Sequence, residues 1–217
     1  MATVISVNRG RAVEADWAGR LGRTAIDKRP VTGPVTLRTR GFEGDERADK
    51  DNHDGLDHAV YCYAREDLDW WASQLGRELR DGVFGENLTL SGVDVNRALI
   101  GERWRVGGTL LEVTGPRVPC GVFRNWMGER GWVRRFTAAQ RIGAYLRVLA
   151  EGPIAAGDPV AIEYRPDVRV TVVESFHAYH GDQDLMERLL TVPAIGADWH
   201  RIGSRVLCDG ARPRQAL

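Results

Sequence analysis

GERWRVGGTLLEVTG, residues 101–115, sets the glycine pair Gly107-Gly108 between two short runs in which apolar and polar residues partly alternate. Glycine reaches positive φ without a Cβ penalty, so the pair reads as the turn of a β-hairpin. A hairpin whose strands bury one face needs further strands to bury it against, which predicts a barrel or sandwich around it. Outward from the hairpin, Thr3–Val7, Val35–Arg38 and Trp104–Val106 are short β-branched or aromatic runs separated by turn signals. Helices interrupt this β-rich region. AREDLDWWASQLGREL, residues 64–79, puts Leu68, Trp71, Ala72 and Leu75 near one helical face, and a second helical segment is predicted from Val122 to Arg135.

The texture changes after Arg165-Pro166, where apolar residues recur at spacings of three and four. Three short helices fit: His180-Gly181 closes the first, Asp182 caps the second, and Pro193 ends it before a third over Ile195–Val206. The fold class expected is mainly β with α, an α+β arrangement. Its β domain covers residues 1–166 and its three-helix extension residues 167–217.

Composition narrows the function classes. At 217 residues, 43% hydrophobic and 28% charged, the chain has the make-up of an ordinary folded protein with one main core and an appendage. Thirty Lys plus Arg balance thirty Asp plus Glu, which removes the chain-wide electrostatic case for nucleic acid or an anionic membrane as the main partner. No apolar run approaches the ~20 residues that span a bilayer, and the start MATVISVNRGRAVE lacks a signal-peptide pattern, so a cytoplasmic location is expected. Cys62, Cys120 and Cys208 are odd in number and lack CxxC spacing, which argues against a disulfide framework or a thiolate zinc site.

Four places hold residues suited to chemistry. In GPRVPCGVF, residues 115–123, Cys120 follows a predicted strand, with Pro116 and Pro119 restricting the backbone, Arg117 nearby and a helix start after it. Such a setting favours thiolate; the alternative is a buried cysteine acting as a small hydrophobe. GFEGDERADKDNHDGLDHAVY, residues 41–61, gathers Asp45, Asp49, Asp51, His53, Asp54, Asp57 and His58. That set suits a proton relay or oxygen and imidazole ligands, and equally a solvated loop of Asx turns. FGENLTL, residues 84–90, is a compact turn in which Asn87 offers donor and acceptor. Lys28 and Arg147 lie in apolar surroundings where a cation needs an anion, whether a phosphate or an intramolecular carboxylate. His177 and His180 have no evident third ligand and read as structural, and tryptophans 70, 71, 104, 126, 132 and 199 as core or helix contacts.

Lys28-Arg29-Pro30-Val31, Gly44-Asp45, Asp49, His53, Gly55, His58-Ala59-Val60-Tyr61, Phe84-Gly85-Glu86-Asn87-Leu88, Pro116-Arg117-x-Pro119-Cys120 and Gly143-x-Tyr145-x-Arg147-Val148 together resemble, in order and spacing, the MOSC domain family. The name denotes the C-terminal domain of molybdenum-cofactor sulfurases. The chain is similar to the stand-alone, YiiM-like branch, whose three-helix extension the C-terminal segment resembles.

The resemblance implies a β-barrel with peripheral helices and a site for the molybdenum cofactor, molybdopterin, with Cys120 as molybdenum ligand. It implies that Lys28, Arg117 and Arg147 face the anionic cofactor beside Asn87, with Asp49, His53 and His58 near the reacting groups. A thiolate suits a metal already held by sulfur, and the cofactor phosphate supplies an anion for the cations. The activity implied is reduction of small N-hydroxylated compounds, hydroxylaminopurines or amidoximes, with electrons from a separate reductase; a homodimer is compatible with it. The alternative is a carrier that holds sulfur or the cofactor on Cys120. Two positions depart from the family pattern: Asp54 stands within His-Asp-Gly where members read His-Gly-Gly, and Asp27 where an apolar residue often precedes the lysine.

Overall fold

Residues 1–48, 55–193 and 195–209 are described by a computed structural model of the chain. The glycine pair turns the chain as its composition predicts, with Thr109 opposite Val106 and Gly107 at φ +52°. Before that hairpin come β1 (Thr3–Arg9), β2 (Val13–Glu14), β3 (Arg23–Thr24), β4 (Arg29–Pro30), β5 (Val35–Arg38), β6 (Gly41–Phe42), β7 (Val60–Ala64), helix α1 (Arg65–Leu75) and β8 (Leu88–Ser91). The hairpin itself is β9 (Arg103–Val106) and β10 (Thr109–Pro116). Helices α2 (Gly121–Met127) and α3 (Trp132–Ala139) follow, then β11 (Ala144–Ala150), β12 (Gly152–Ile154) and β13 (Val160–Tyr164). The chain then runs through α4 (Val172–Tyr179), α5 (Gln183–Leu190) and α6 (Ala197–Asp209).

Eight strands form one mixed sheet in the order β13-β9-β10-β11-β7-β8-β1-β4, beside a three-stranded sheet β12-β5-β6 and the β2-β3 ribbon. The pair β7–β8 is parallel, and α1 supplies the crossover that a parallel pair requires. The strand ladder runs from β13 to β4 without pairing those two end strands with each other. The sheet instead curls until β1 meets the segment entering β13, through a Thr3–Pro159 bridge and the bonds Val4 N–H to Asp158 O (2.9 Å) and Val160 N–H to Ala2 O (2.9 Å).

Glycines decide where the helices stop. Helix α1 ends at Leu75 rather than near residue 79, because Gly76 takes φ +64° and donates back to Ala72 O. The segment predicted as one helix from Val122 to Arg135 is two, since Gly128 and Gly131 are both left-handed, at φ +67° and +68°. That break folds α3 back onto α2 and brings Phe123, Trp132 and Phe136 against Trp71 and Phe84, with ring centres 4.6 Å apart for Trp71–Trp132 and 5.3 Å for Phe84–Phe123.

The C-terminal helices follow their sequence signals closely. Thr171 and Glu174 form a capping box at α4, and the Asp182 side chain accepts from Leu185 N–H at the start of α5. Val170, Val172, Phe176, Met186, Leu189 and Val206 are buried in the same apolar cluster as Leu111 and Val113 of β10. No helix among the described residues is long and apolar enough to cross a membrane.

Candidate functional site

Pairing of β7 with β11 sets Tyr61 opposite Tyr145, with ring centres 5.3 Å apart. The approach requires Gly143, whose backbone sits at φ +69° and where a Cβ would lie 2.6 Å from Cys62 O. His58 places its ring edge against Tyr145 at 4.6 Å between centres. Arg117 donates from Nη1 to the Tyr145 hydroxyl (3.1 Å), and its guanidinium lies over the rings of Tyr61 and Phe123 at 5.2 and 5.4 Å. The Arg117 Nε is buried with no hydrogen-bond partner among the described residues, and no carboxylate among them pairs with this cation. Burial pulls its pKa down, but Tyr145, Cys120 and Tyr61 outweigh burial and hold it above the usual arginine value, so the positive charge persists. Three residues on, Cys120 is half-buried at the N-cap of α2, its carbonyl accepting the Arg124 N–H (2.9 Å).

A second group joins this one through Tyr61. The Asn87 backbone N–H donates to Tyr61 O (2.7 Å), and Tyr61 N–H donates to Asn87 Oδ1 (3.3 Å). Asn87 Nδ2 donates in turn to Asp45 Oδ2 (2.9 Å), whose other oxygen pairs with Lys28 Nζ at 2.5 Å and accepts Gly10 N–H (2.8 Å). Lys28 is buried, which pulls its pKa down, while the contact with Asp45 opposes that pull. Asp27, the departure beside this lysine, is tied to Arg29 (2.9 Å) and to Arg80, so its charge faces two guanidinium groups. Glu86 is fully buried and accepts the backbone N–H groups of Gly82 (2.5 Å) and Phe84 (2.9 Å), shaping the turn that presents Asn87. Burial pushes the Glu86 carboxyl up to about 7 against these bonds.

Arg147 has a different setting. Its Nε donates to Glu112 (2.8 Å) and its Nη1 to Asp57 (2.9 Å), while Arg103 holds the other Glu112 oxygen (2.8 Å). Asp57 precedes His58 and is clamped from the C-terminal side. The Thr114 hydroxyl donates to Asp57 O (2.5 Å), the Trp199 indole N–H donates to Thr114 O (3.1 Å), and a Cβ at Gly196 would fall 1.8 Å from the Asp57 carboxylate. Burial lowers the pKa of His58; Asp57 and Asp198 pull it up, and Arg47 and Arg117 push it further down.

The structure thus links Lys28, Asn87, Arg117, Cys120 and His58 in one neighbourhood through Tyr61, Tyr145 and Phe123. Asp49, His53 and Asp54 lie outside the described residues. Apart from their places in the family pattern, Asp45 was one acid among many in its loop and Tyr145 carried no signal. His177 meets the Gln140 amide (2.9 Å) and His180 meets Phe176 O (2.8 Å), both structural contacts. Among the described residues no three His, Cys, Asp or Glu side chains converge as a metal site. A cleft of about 700 Å³ lined by Asp67, Asn96, Arg141 and Glu174 contains none of the candidate residues.

Residues 49–161 match the MOSC domain family. Across 91% of this chain and 90% of the relative, the sequence is 32% identical to YflK of Bacillus subtilis (strain 168). It is 31% identical to a protein named reductase from Gibberella moniliformis (strain M3125 / FGSC 7600), over 75% of this chain and 29% of that longer protein. The crystal structure of YiiM from Geobacillus stearothermophilus superposes with a TM-score of 0.79 and 26% identity, covering 95% of this chain and all of that one. The match over more than half the chain, together with a full-length relative and a shared fold, makes this chain a member of the MOSC domain family.

Proposed function

We propose that the chain is a molybdenum-cofactor-dependent oxidoreductase that reduces small N-hydroxylated compounds with electrons from a separate donor protein. The observation that carries this reading is the pairing of a half-exposed thiol, Cys120, with a half-buried cation, Arg117, whose buried Nε has no hydrogen-bond partner among the described residues. A buried donor left unpaired costs about 1–3 kcal/mol, which an anionic ligand recovers. A thiol beside an anion-seeking guanidinium fits a group that combines a thiophilic metal with a phosphate. The relative named reductase supports the redox class.

Cys120 would be the protein ligand to the metal, with Arg117 on the phosphate, while Lys28 is neutralised by Asp45 and through it steadies Asn87. The cofactor supplies the two-electron oxygen-atom chemistry. Around it, the residues of this chain bind, orient and move protons. Arg117 is fixed by Tyr145 below its edge and by Tyr61 and Phe123 against its face, so its fork meets an anion in one orientation. His58, set edge-on against Tyr145 and with its pKa lowered by burial, would act as the proton-transfer group, giving up a proton readily once protonated. The overall change consumes two electrons and two protons: the substrate N–O bond breaks, an N–H bond forms, and the oxygen leaves as water.

The test is molybdenum content by elemental mass spectrometry on protein from a cofactor-producing host, wild type beside Cys120→Ala, followed by hydroxylaminopurine reduction with reduced methyl viologen. Near-stoichiometric metal and turnover in wild type alone are expected, with an unchanged circular dichroism spectrum in the variant, since removing one sulfur costs only about 1 kcal/mol of packing. Metal absent from both proteins, with cyanide-labile sulfur on the wild type, would replace this reading with a sulfur carrier.

A further inference from the structure

The positive charge of this formally neutral chain is unevenly spread. From Arg117 to Arg141 there are six arginines, at 117, 124, 130, 134, 135 and 141, against one acid, Glu129. Glu129 is shared by Arg77 (3.5 Å) and Arg135 (3.8 Å), and Arg141 is bound to Asp67. Arg124, Arg130 and Arg134 are exposed and meet no carboxylate among the described residues.

An apolar centre lies against the same helices. The 16–21 turn packs on α2: Asn125 Nδ2 donates to Trp17 O (2.7 Å), and the Trp17 and Trp126 rings are 5.8 Å apart. Trp17, Leu21 and Val13 of the adjoining β2 remain 38, 41 and 53% exposed. Arg20 and Arg23 flank them, also without a carboxylate partner among the described residues, while Glu14 and Asp16 are the acids of this segment. Tryptophan and arginine around an exposed apolar centre are the composition of protein–protein contact centres. A nucleic acid would use the charges and leave Val13 and Leu21 unspent. Cys120 caps α2, and Arg124 follows one turn later, so this face adjoins the candidate site.

We propose that residues 13–23 together with α2 and α3 form the docking face for an acidic flavin protein that delivers the electrons. This rests on the reductase reading above. The flavin hydroquinone is oxidised by two electrons, and the substrate takes those two electrons and two protons as its N–O bond breaks and water leaves. Complementary charge orients the donor beside Cys120, and the Trp17–Leu21 centre provides the dry contact.

The test uses flavodoxin, a small acidic flavin protein, with the full chain. Calorimetry at low and high ionic strength should show association that weakens by about tenfold or more with salt, and to a similar degree in the variant Arg20→Glu/Arg23→Glu/Arg124→Glu. Trp17→Ala should weaken association at both ionic strengths alike. Turnover driven by photoreduced flavodoxin should fall in parallel, whereas turnover driven by reduced methyl viologen, a small dication, should not change. Equal flavodoxin affinity in wild type and charge-reversed protein would overturn the proposal, as would no association at all. Tighter binding of a single-stranded RNA oligomer at the same residues would give the face to nucleic acid instead. Failure of viologen-driven turnover in wild type would refute the reductase reading, and the calorimetry would still decide whether the face docks an acidic protein.

Discussion

Three cations stood out in the sequence as needing an anion, and the fold gives each a different answer. Lys28 has Asp45, Arg147 has Glu112 and Asp57, and Arg117 has a tyrosine hydroxyl, two ring faces and an Nε with no partner among the described residues. The difference is testable with paired substitutions. Arg117→Met should retain the fold and lose molybdenum, because no carboxylate among the described residues depends on it. Arg147→Met should instead lower the urea midpoint, by about 2 kcal/mol in stability, since it strips Asp57 and one oxygen of the buried Glu112 while Arg103 still holds the other. Urea unfolding and metal analysis on both variants check the contrast, and equal stability loss would contradict it.

At the scale of elements, the 82–87 turn is held by a carboxylate rather than by a cation. Glu86 accepts Gly82 and Phe84 N–H groups and the Thr89 hydroxyl (3.2 Å), and burial pushes its pKa up to about 7 from an ordinary 4.5. The folded chain therefore retains this proton where the unfolded chain has lost it, so the stabilising contribution is full below about 4.5 and is lost as pH rises through about 7. Urea midpoints measured from pH 5 to 8, about the span between the two states, should fall with rising pH in wild type more steeply than in Glu86→Gln. The variant should also be less stable at low pH, having an amide N–H₂ where one backbone N–H now donates. Identical slopes would remove Glu86 as the source.

For the whole molecule, the C-terminal helices are part of the core and of the site's support. Val172, Phe176, Met186, Leu189 and Val206 are buried with the sheet, Trp199 covers Gly115 and donates to Thr114 O, and Gly196 lies against the Asp57 carboxylate next to His58. A chain ending at residue 166 should expose this apolar surface, bind a hydrophobic dye such as ANS and lose a cooperative thermal transition. A sharp transition with no dye binding would show that the sheet folds without the helices.

The amino-acid sequence by itself determined what depends on neighbours along the chain. The Gly107-Gly108 turn, the cap at Asp182, the ends of the first two C-terminal helices and the conjunction of motifs around Cys120 were all legible, because backbone dihedral limits and capping bonds act over a few residues. The break at Gly128 and Gly131 escaped a reading based on apolar spacing, since periodicity records which face is buried and not whether the axis continues. Tertiary structure alone decided which anion each cation meets. Asp45 is 17 residues from Lys28 and Asp57 is 90 from Arg147, so these pairs depend on strand register and on the packing of α6. The same long-range placement brings Tyr145 to Arg117 and leaves Arg117 Nε without a partner among the described residues, a property that no local pattern encodes.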